Sequence, residues 1–294
     1  MDFDLQKYAQ WILTLPCHNL SVWGLESLSR IHISLYGMIV TDALDSIYGK
    51  REKYFTRMKE LYKTCSNRYK RADIIGACRL ADVMQSLAYA PGVLDSQWQD
   101  TCYRQMWQFV EQKSRMVKNW DIPQWLWCVA CSCYPLSDES AGEECFLRFR
   151  QQLEKWIIDW DTDGQWQNLS VCKALQRLRV LNGNSYMFLD DAYDNIICAI
   201  YHYYRMRVPL KGNIDTCIVK QAGMLYEQAG ITKAYPADWD TMKAVVRFMS
   251  ACLLKLRADS DEWLYALSVL IENKCQHIMK EVSRQIDSCH YVYP

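Results

Sequence analysis

Carboxylates recur beside tryptophans along this chain. Asp121 stands among Trp120, Trp125 and Trp127, Asp161 and Asp163 precede Trp166, and Asp261 and Glu262 precede Trp263. A carboxylic acid kept from water holds its proton to higher pH and can donate it. An indole face can hold a polyene chain, a sugar ring or a developing cation. The combination points to acid chemistry on a small apolar or mixed-polarity molecule. Asp161 and Asp163 are the candidate catalytic acids, and Trp125, Trp166, Trp263 and Asp121 the candidate substrate-binding residues. The plainer reading of any one aspartate is a helix cap, which satisfies first-turn N–H groups and complements the helix dipole. Capping leaves the tryptophans unexplained.

A second acidic group, Asp190-Asp191-Ala192-Tyr193-Asp194, has carboxylates at i, i+1 and i+4, a spacing at which they can converge on one hard cation such as Mg²⁺. It follows a turn, so Asp190 also reads as a cap. Cys128-Val129-Ala130-Cys131-Ser132-Cys133 contains a C-x-x-C spacing inside an apolar helical pattern with no second pair, which reads as core thiols. His32 and His202 read as packed or partly exposed helix residues. No glycine-rich phosphate loop and no G-x-S-x-G elbow occurs, so nucleotide hydrolysis and serine esterase chemistry have no support.

These residues must be positioned by helices. The 294 residues include only 11 glycines and 7 prolines, and no run alternates long enough to be a strand. Breakers at Ala90-Pro91-Gly92, Pro135–Asp138, Asn182-Gly183-Asn184, Val208–Asn213, Tyr235-Pro236-Ala237 and Ala258-Asp259-Ser260 divide the chain into helical hairpins at 19–65, 72–117, 121–158, 165–206, 214–257 and 261–286. Second helices open near caps at Asp45, Ser96, Ser140, Asp190 and Asp238, roughly 44 to 51 residues apart, the period of a helical repeat. The expected fold is all-α, one repeat domain over 1–294 with about six hairpins, closed into an α/α toroid or left as an open superhelix. Leu169–Leu181 and Trp263–Ile271 are apolar on most sides, as inner helices should be, whereas Tyr54–Lys63 and Cys145–Ile157 are rich in charge. That alternation favours the ring.

Three short stretches resemble the α/α-toroid superfamily of terpenoid cyclases and protein prenyltransferase β-subunits. Asp161-Thr162-Asp163-Gly164-Gln165-Trp166 is similar to its D-G-x-W repeat signature, and Asp159-Trp160-Asp161-Thr162 to the acid motif of class II cyclases, whose middle aspartate protonates a double bond. Lys211-Gly212-Asn213-Ile214-Asp215-Thr216-Cys217 resembles the prenyltransferase stretch whose aspartate and cysteine bind Zn²⁺. The 190–194 group is likewise similar to the Mg²⁺-diphosphate motif of class I terpene synthases. The resemblance implies a closed ring and isoprenoid chemistry, with Mg²⁺ or Zn²⁺ as the conceivable ions. Zinc needs three protein ligands, and Asp261–Leu264 has no histidine to complete the set, so no cofactor is expected; Asp215 then reads as a cap and Cys217 as core.

Composition narrows the partners. Lysine plus arginine and aspartate plus glutamate total 34 each, which removes the field that would draw nucleic acid. The longest apolar stretch, Trp125–Leu136, is about 12 residues against the roughly 20 that span a bilayer, and Asp2 and Asp4 stand where a secretory leader would be basic. With 14 cysteines scattered through helical patterns, reduced thiols in the cytoplasm are the expectation. The expected partner is a small apolar molecule, possessing isoprenoid character by the resemblance. The alternatives are a non-catalytic scaffold facing a protein partner and a carbohydrate-active toroid with Asp121 or Asp163 as general acid.

Overall fold

A computed structural model of the chain describes residues 5–40, 51–92, 95–114, 128, 205, 208–210, 214–231, 239–258 and 260–290. Every regular element among them is a helix: α1 (Leu5–Ile12), α2 (Val22–Val40), α3 (Arg51–Tyr69), α4 (Ile74–Gly92), α5 (Ser96–Ser114), α6 (Thr216–Ile231), α7 (Trp239–Lys255) and α8 (Asp261–His290). Helices α2 and α3, α4 and α5, and α6 and α7 fall within the stretches expected as hairpins at 19–65, 72–117 and 214–257, and of these pairs α4 packs along α5. The hairpins expected at 121–158 and 165–206 lie almost wholly outside the described residues. No described helix is long and apolar enough to cross a membrane.

The helix starts follow local chemistry. Ser21 accepts the Gly24 N–H at 3.1 Å, Asp73 that of Gly76 at 2.7 Å, Asp95 that of Trp98 at 2.9 Å, Asp215 that of Ile218 at 2.9 Å, and Ser260 that of Trp263 at 3.2 Å. Each is a cap three residues ahead of the donor it satisfies. Asp215 is thus the cap that the sequence suggests. The cap of α5 is Asp95 rather than Ser96, because the carboxylate both accepts the N–H and opposes the dipole, leaving Ser96 as the first helical residue.

Two further differences concern helix extent. The stretch 261–286, expected as a hairpin, belongs to one continuous helix of 30 residues, since no glycine or proline interrupts it. Ahead of the first hairpin, α1 buries Leu5, Ala9 and Ile12 along one side and ends at Ile12, four residues before Pro16.

The chain forms two compact units, one of Met1–Thr64, Arg207–Glu227 and Trp239–Pro294, the other of Cys65–Met206 and Gln228–Asp238. In the first, α8 packs along α2 and against α7. Every residue from Trp263 to Ile271 is buried, so α8 has no solvent face there. On α2, buried Trp23, Leu25, Leu28, Ile31, Leu35 and Met38 likewise leave little surface, whereas α3 buries one stripe, Tyr54, Met58, Leu61, Tyr62 and Cys65, at spacings of three and four. The contrast of inner and surface helices read from composition therefore holds for Trp263–Ile271 against Tyr54–Lys63. In the second unit α4 packs on α5, Tyr69 stacks on Phe109 with centroids 5.3 Å apart, and the Lys113 ammonium donates to the Ala72 carbonyl at 2.6 Å. Burial lowers the Lys113 pKa, opposed by nearby Cys128 and Asp73.

Candidate functional site

The first turns of α2, α6 and α8 meet in the first unit. Gly24 on α2 takes the Asp261 carboxylate against its backbone: a Cβ added there would lie 2.3 Å from Asp261 Oδ1. The Thr216 hydroxyl of α6 donates to Glu262 of α8 at 2.5 Å. The Lys220 ammonium stands 4.3 Å from the centroid of Trp23, whose ring lies 5.1 Å from that of Tyr265 at 49°. About one to three turns further on, Gly223 faces the Tyr265 ring, Arg30 pairs with Glu272 at 2.9 Å, and the Tyr226 hydroxyl meets Asn273 Oδ1 at 3.2 Å. Residue numbers rise together on all three helices, so the three run parallel with their starts at one end.

The charge state of this end follows from the contacts. The Thr216 hydrogen bond first, then the Ser260 and Lys220 neighbours, hold the Glu262 carboxyl below its ordinary pKa against a partial desolvation. Glu262 is therefore an anion and an acceptor at neutral pH, unsuited to donating a proton. Deeper in, burial and the Glu272 charge raise the Tyr226 pKa, so its phenol stays neutral. The arrangement is a fixed anion and a lysine-covered indole at the shared mouth of three helices.

No family model, curated protein or solved structure matches this chain.

Of the residues singled out from sequence, Trp263 is described. It is buried, its ring lies edge-on to Trp11 at 5.1 Å and tilted to Tyr8 at 6.0 Å, and its Nε1 donates to the Leu253 carbonyl of α7 at 3.2 Å. Asp121, Trp125, Asp161, Asp163 and Trp166 lie outside the described residues, as do Asp190, Asp191 and Asp194. Trp23 and Lys220 were missed, because a lone tryptophan and a lone lysine some 200 residues apart carry no joint pattern. A legible signal does exist for the tryptophans. Trp98 and Trp263 each stand three residues after a cap, and each sends its indole N–H to a carbonyl of the preceding helix, Leu87 or Leu253. Cap-x-x-Trp is thus a corner that pins one helix to the next.

For the metal candidates, Cys217 is exposed rather than core, since the first turn of α6 turns it to solvent, where its sulfur accepts from Gln221 at 3.3 Å. His277, the first histidine after Asp261–Leu264 in the sequence, is exposed on α8. No group of three or more metal-ligating side chains occurs among the described residues. Cys128 is buried, as a core thiol should be. Burial raises the Cys252 pKa to about 11 and the Cys275 pKa to about 12, the latter also through Glu272. Because only the thiolate reacts, native labelling at about pH 8 should modify Cys217 well before Cys252 and Cys275, as peptide mass spectrometry would show. Equal rates at the three would contradict the packing of α7 and α8.

Proposed function

We propose that this chain is a closed α/α toroid that binds a small apolar molecule of the isoprenoid class in a cavity rimmed by its inner-helix starts, and cyclises or transfers it. The observation that carries the reading is the parallel set α2, α6 and α8, the opening helices of the first, fifth and sixth expected repeats. An open superhelix keeps such repeats apart, whereas Arg30 and Glu272, 242 residues apart, form an ion pair between them. A ring of parallel inner helices would bring the starts near 121–125 and 161–166, which lie outside the described residues, to one mouth, and with them Asp121, Trp125, Asp161, Asp163 and Trp166. Asp163-Gly164-Gln165-Trp166 repeats the cap-x-x-Trp spacing of Asp95–Trp98 and Ser260–Trp263. By that spacing Asp163 takes the cap's place in the sequence pattern, which leaves Asp161 as the acid outside it. A protonated Asp161 would deliver its proton to a double bond while indole faces stabilise the carbocation.

The test is a titration of intrinsic tryptophan fluorescence with a linear polyprene, with farnesyl diphosphate and with linear oligosaccharides. Saturable binding of a polyprene, weakened about tenfold or more by Trp166→Ala and with Asp163→Asn remaining folded because asparagine also caps, is the expected outcome. Turnover lost in Asp161→Asn with binding retained would assign the acid. Binding of the sugars alone would move the reading to a carbohydrate-active toroid, and binding of none to a scaffold.

A further inference from the structure

The His32 imidazole is completely buried between α2 and α3, and neither ring nitrogen has a hydrogen-bond partner among the described residues. Its ring meets Tyr54 edge-on with centroids 5.7 Å apart, and the Arg57 guanidinium is close enough to act on its charge. The same two α3 residues fasten the chain ahead of α2. The Tyr54 hydroxyl donates to the Ala9 carbonyl at 2.8 Å in α1, and Arg57 donates to the Leu15 carbonyl and pairs with Glu60. Cys17 adds a sulfur contact to Thr64 at 3.5 Å. In turn α1 covers Trp263 of α8 through Tyr8 and Trp11.

We propose that His32 is a proton-operated latch: when its ring takes up a proton, the segment from α1 to Cys17 detaches from α3 and uncovers Trp263. A cation on His32 would stand beside Arg57 with neither of its ring nitrogens paired, so it must be hydrated or expelled. The facing groups offer no relief. On α3 these are Tyr54, Arg57 and Glu60, and Glu60 is already paired with Arg57. On α8, Cys275 lies near Tyr54 and Glu272 near Cys275, and Glu272 is held by Arg30 of α2 itself. Among the described residues of α1, the Ala9 carbonyl stands at Tyr54 and is already bonded to it. The two carbonyl contacts, Tyr54 to Ala9 and Arg57 to Leu15, are made by the two α3 residues nearest the ring, so they are the ones its charge would disturb.

Burial first and Arg57 second bring the pKa of His32 from 6.5 down to about 3. The closed form thus favours the neutral ring, and its advantage, complete above pH 6.5, falls away as pH drops toward 3. Between about pH 7 and about pH 5 the open population should grow about 25-fold.

Hydrogen exchange of the intact chain, corrected for intrinsic rates, tests this. The segment 5–17 should open about 25-fold more at the lower pH in the native protein, while His32→Leu abolishes the increase. The same increase in His32→Leu, no increase in the native chain, or an equal increase in α4 and α5 would each overturn the latch. Should His32→Leu not fold, an NMR titration of the native His32 C2–H decides: no protonation of the closed form above about pH 5 is expected, and a midpoint near 6.5 overturns the proposal.

Discussion

Gly223→Ala should destabilise the protein by about 2–3 kcal/mol, although in an ordinary helix interior the same change stabilises by up to about 1 kcal/mol. A Cβ at this position of α6 would lie 2.2 Å from Tyr265 Oη, 2.3 Å from Cε1 and 2.5 Å from Cζ. All three are atoms of one rigid ring, and that ring is buried and backed by Trp23 at 5.1 Å, so it cannot swing aside without disturbing α2. Gly24→Ala makes a comparably short contact, 2.3 Å, but with the carboxylate end of Asp261, which can rotate away; its cost should be about 1 kcal/mol or less. A double-mutant cycle isolates the cause. In a Tyr265→Ala background, itself destabilised, Gly223→Ala should turn neutral or mildly stabilising, a coupling of about 3 kcal/mol in urea denaturation. If Gly223→Ala stabilises the native background, α6 and α8 are not as close as described.

How much of this was legible in the sequence depends on whether the signal was local. The apolar run Trp263–Ile271 marks a helix without a solvent face, and all nine of its residues are buried, because periodicity reports how many sides of a helix are covered. Asp215 as a cap was legible from the polar residue that precedes an apolar run. The shift from Ser96 to Asp95 was not, since adjacent polar residues compete for one capping role and only geometry decides. The partner of α8 was also hidden. Nothing within 261–290 says that its neighbour is α2, because helix pairing is set by shape over long range, and the residues that specify it here, Gly24 and Gly223, act by lacking a side chain. The acid-and-tryptophan recurrence was legible as a pattern, but its local cause was not. At Trp263 the indole N–H holds the preceding helix, while the cap is Ser260 rather than Asp261 or Glu262, which stand inside the first turn; Trp98, outside that recurrence, makes the same corner behind Asp95.

A chain ended before Ser260, and so lacking α8, should lose the fold of α2 as well, despite the more than 200 residues between them. Leu264, Leu267, Val269 and Ile271 are fully buried, and each is worth about 1.5–3 kcal/mol of removed apolar surface, so their loss alone approaches the 5–15 kcal/mol by which a domain is stable. Their removal also bares the α2 face that they cover and leaves Arg30, 23% exposed, without Glu272. In an open array each repeat touches only its sequence neighbours, so deleting a late helix frays that end and leaves the first hairpin protected. The two cases separate in amide exchange of residues 22–38, which should reach unfolded rates in the shortened chain. Leu267→Asp places a carboxylate at a fully buried point of the same helix and should act in the same direction, with the full-length chain as its control. Undiminished protection of α2 in both variants would remove the α2–α8 pairing and, with it, the support for a closed ring.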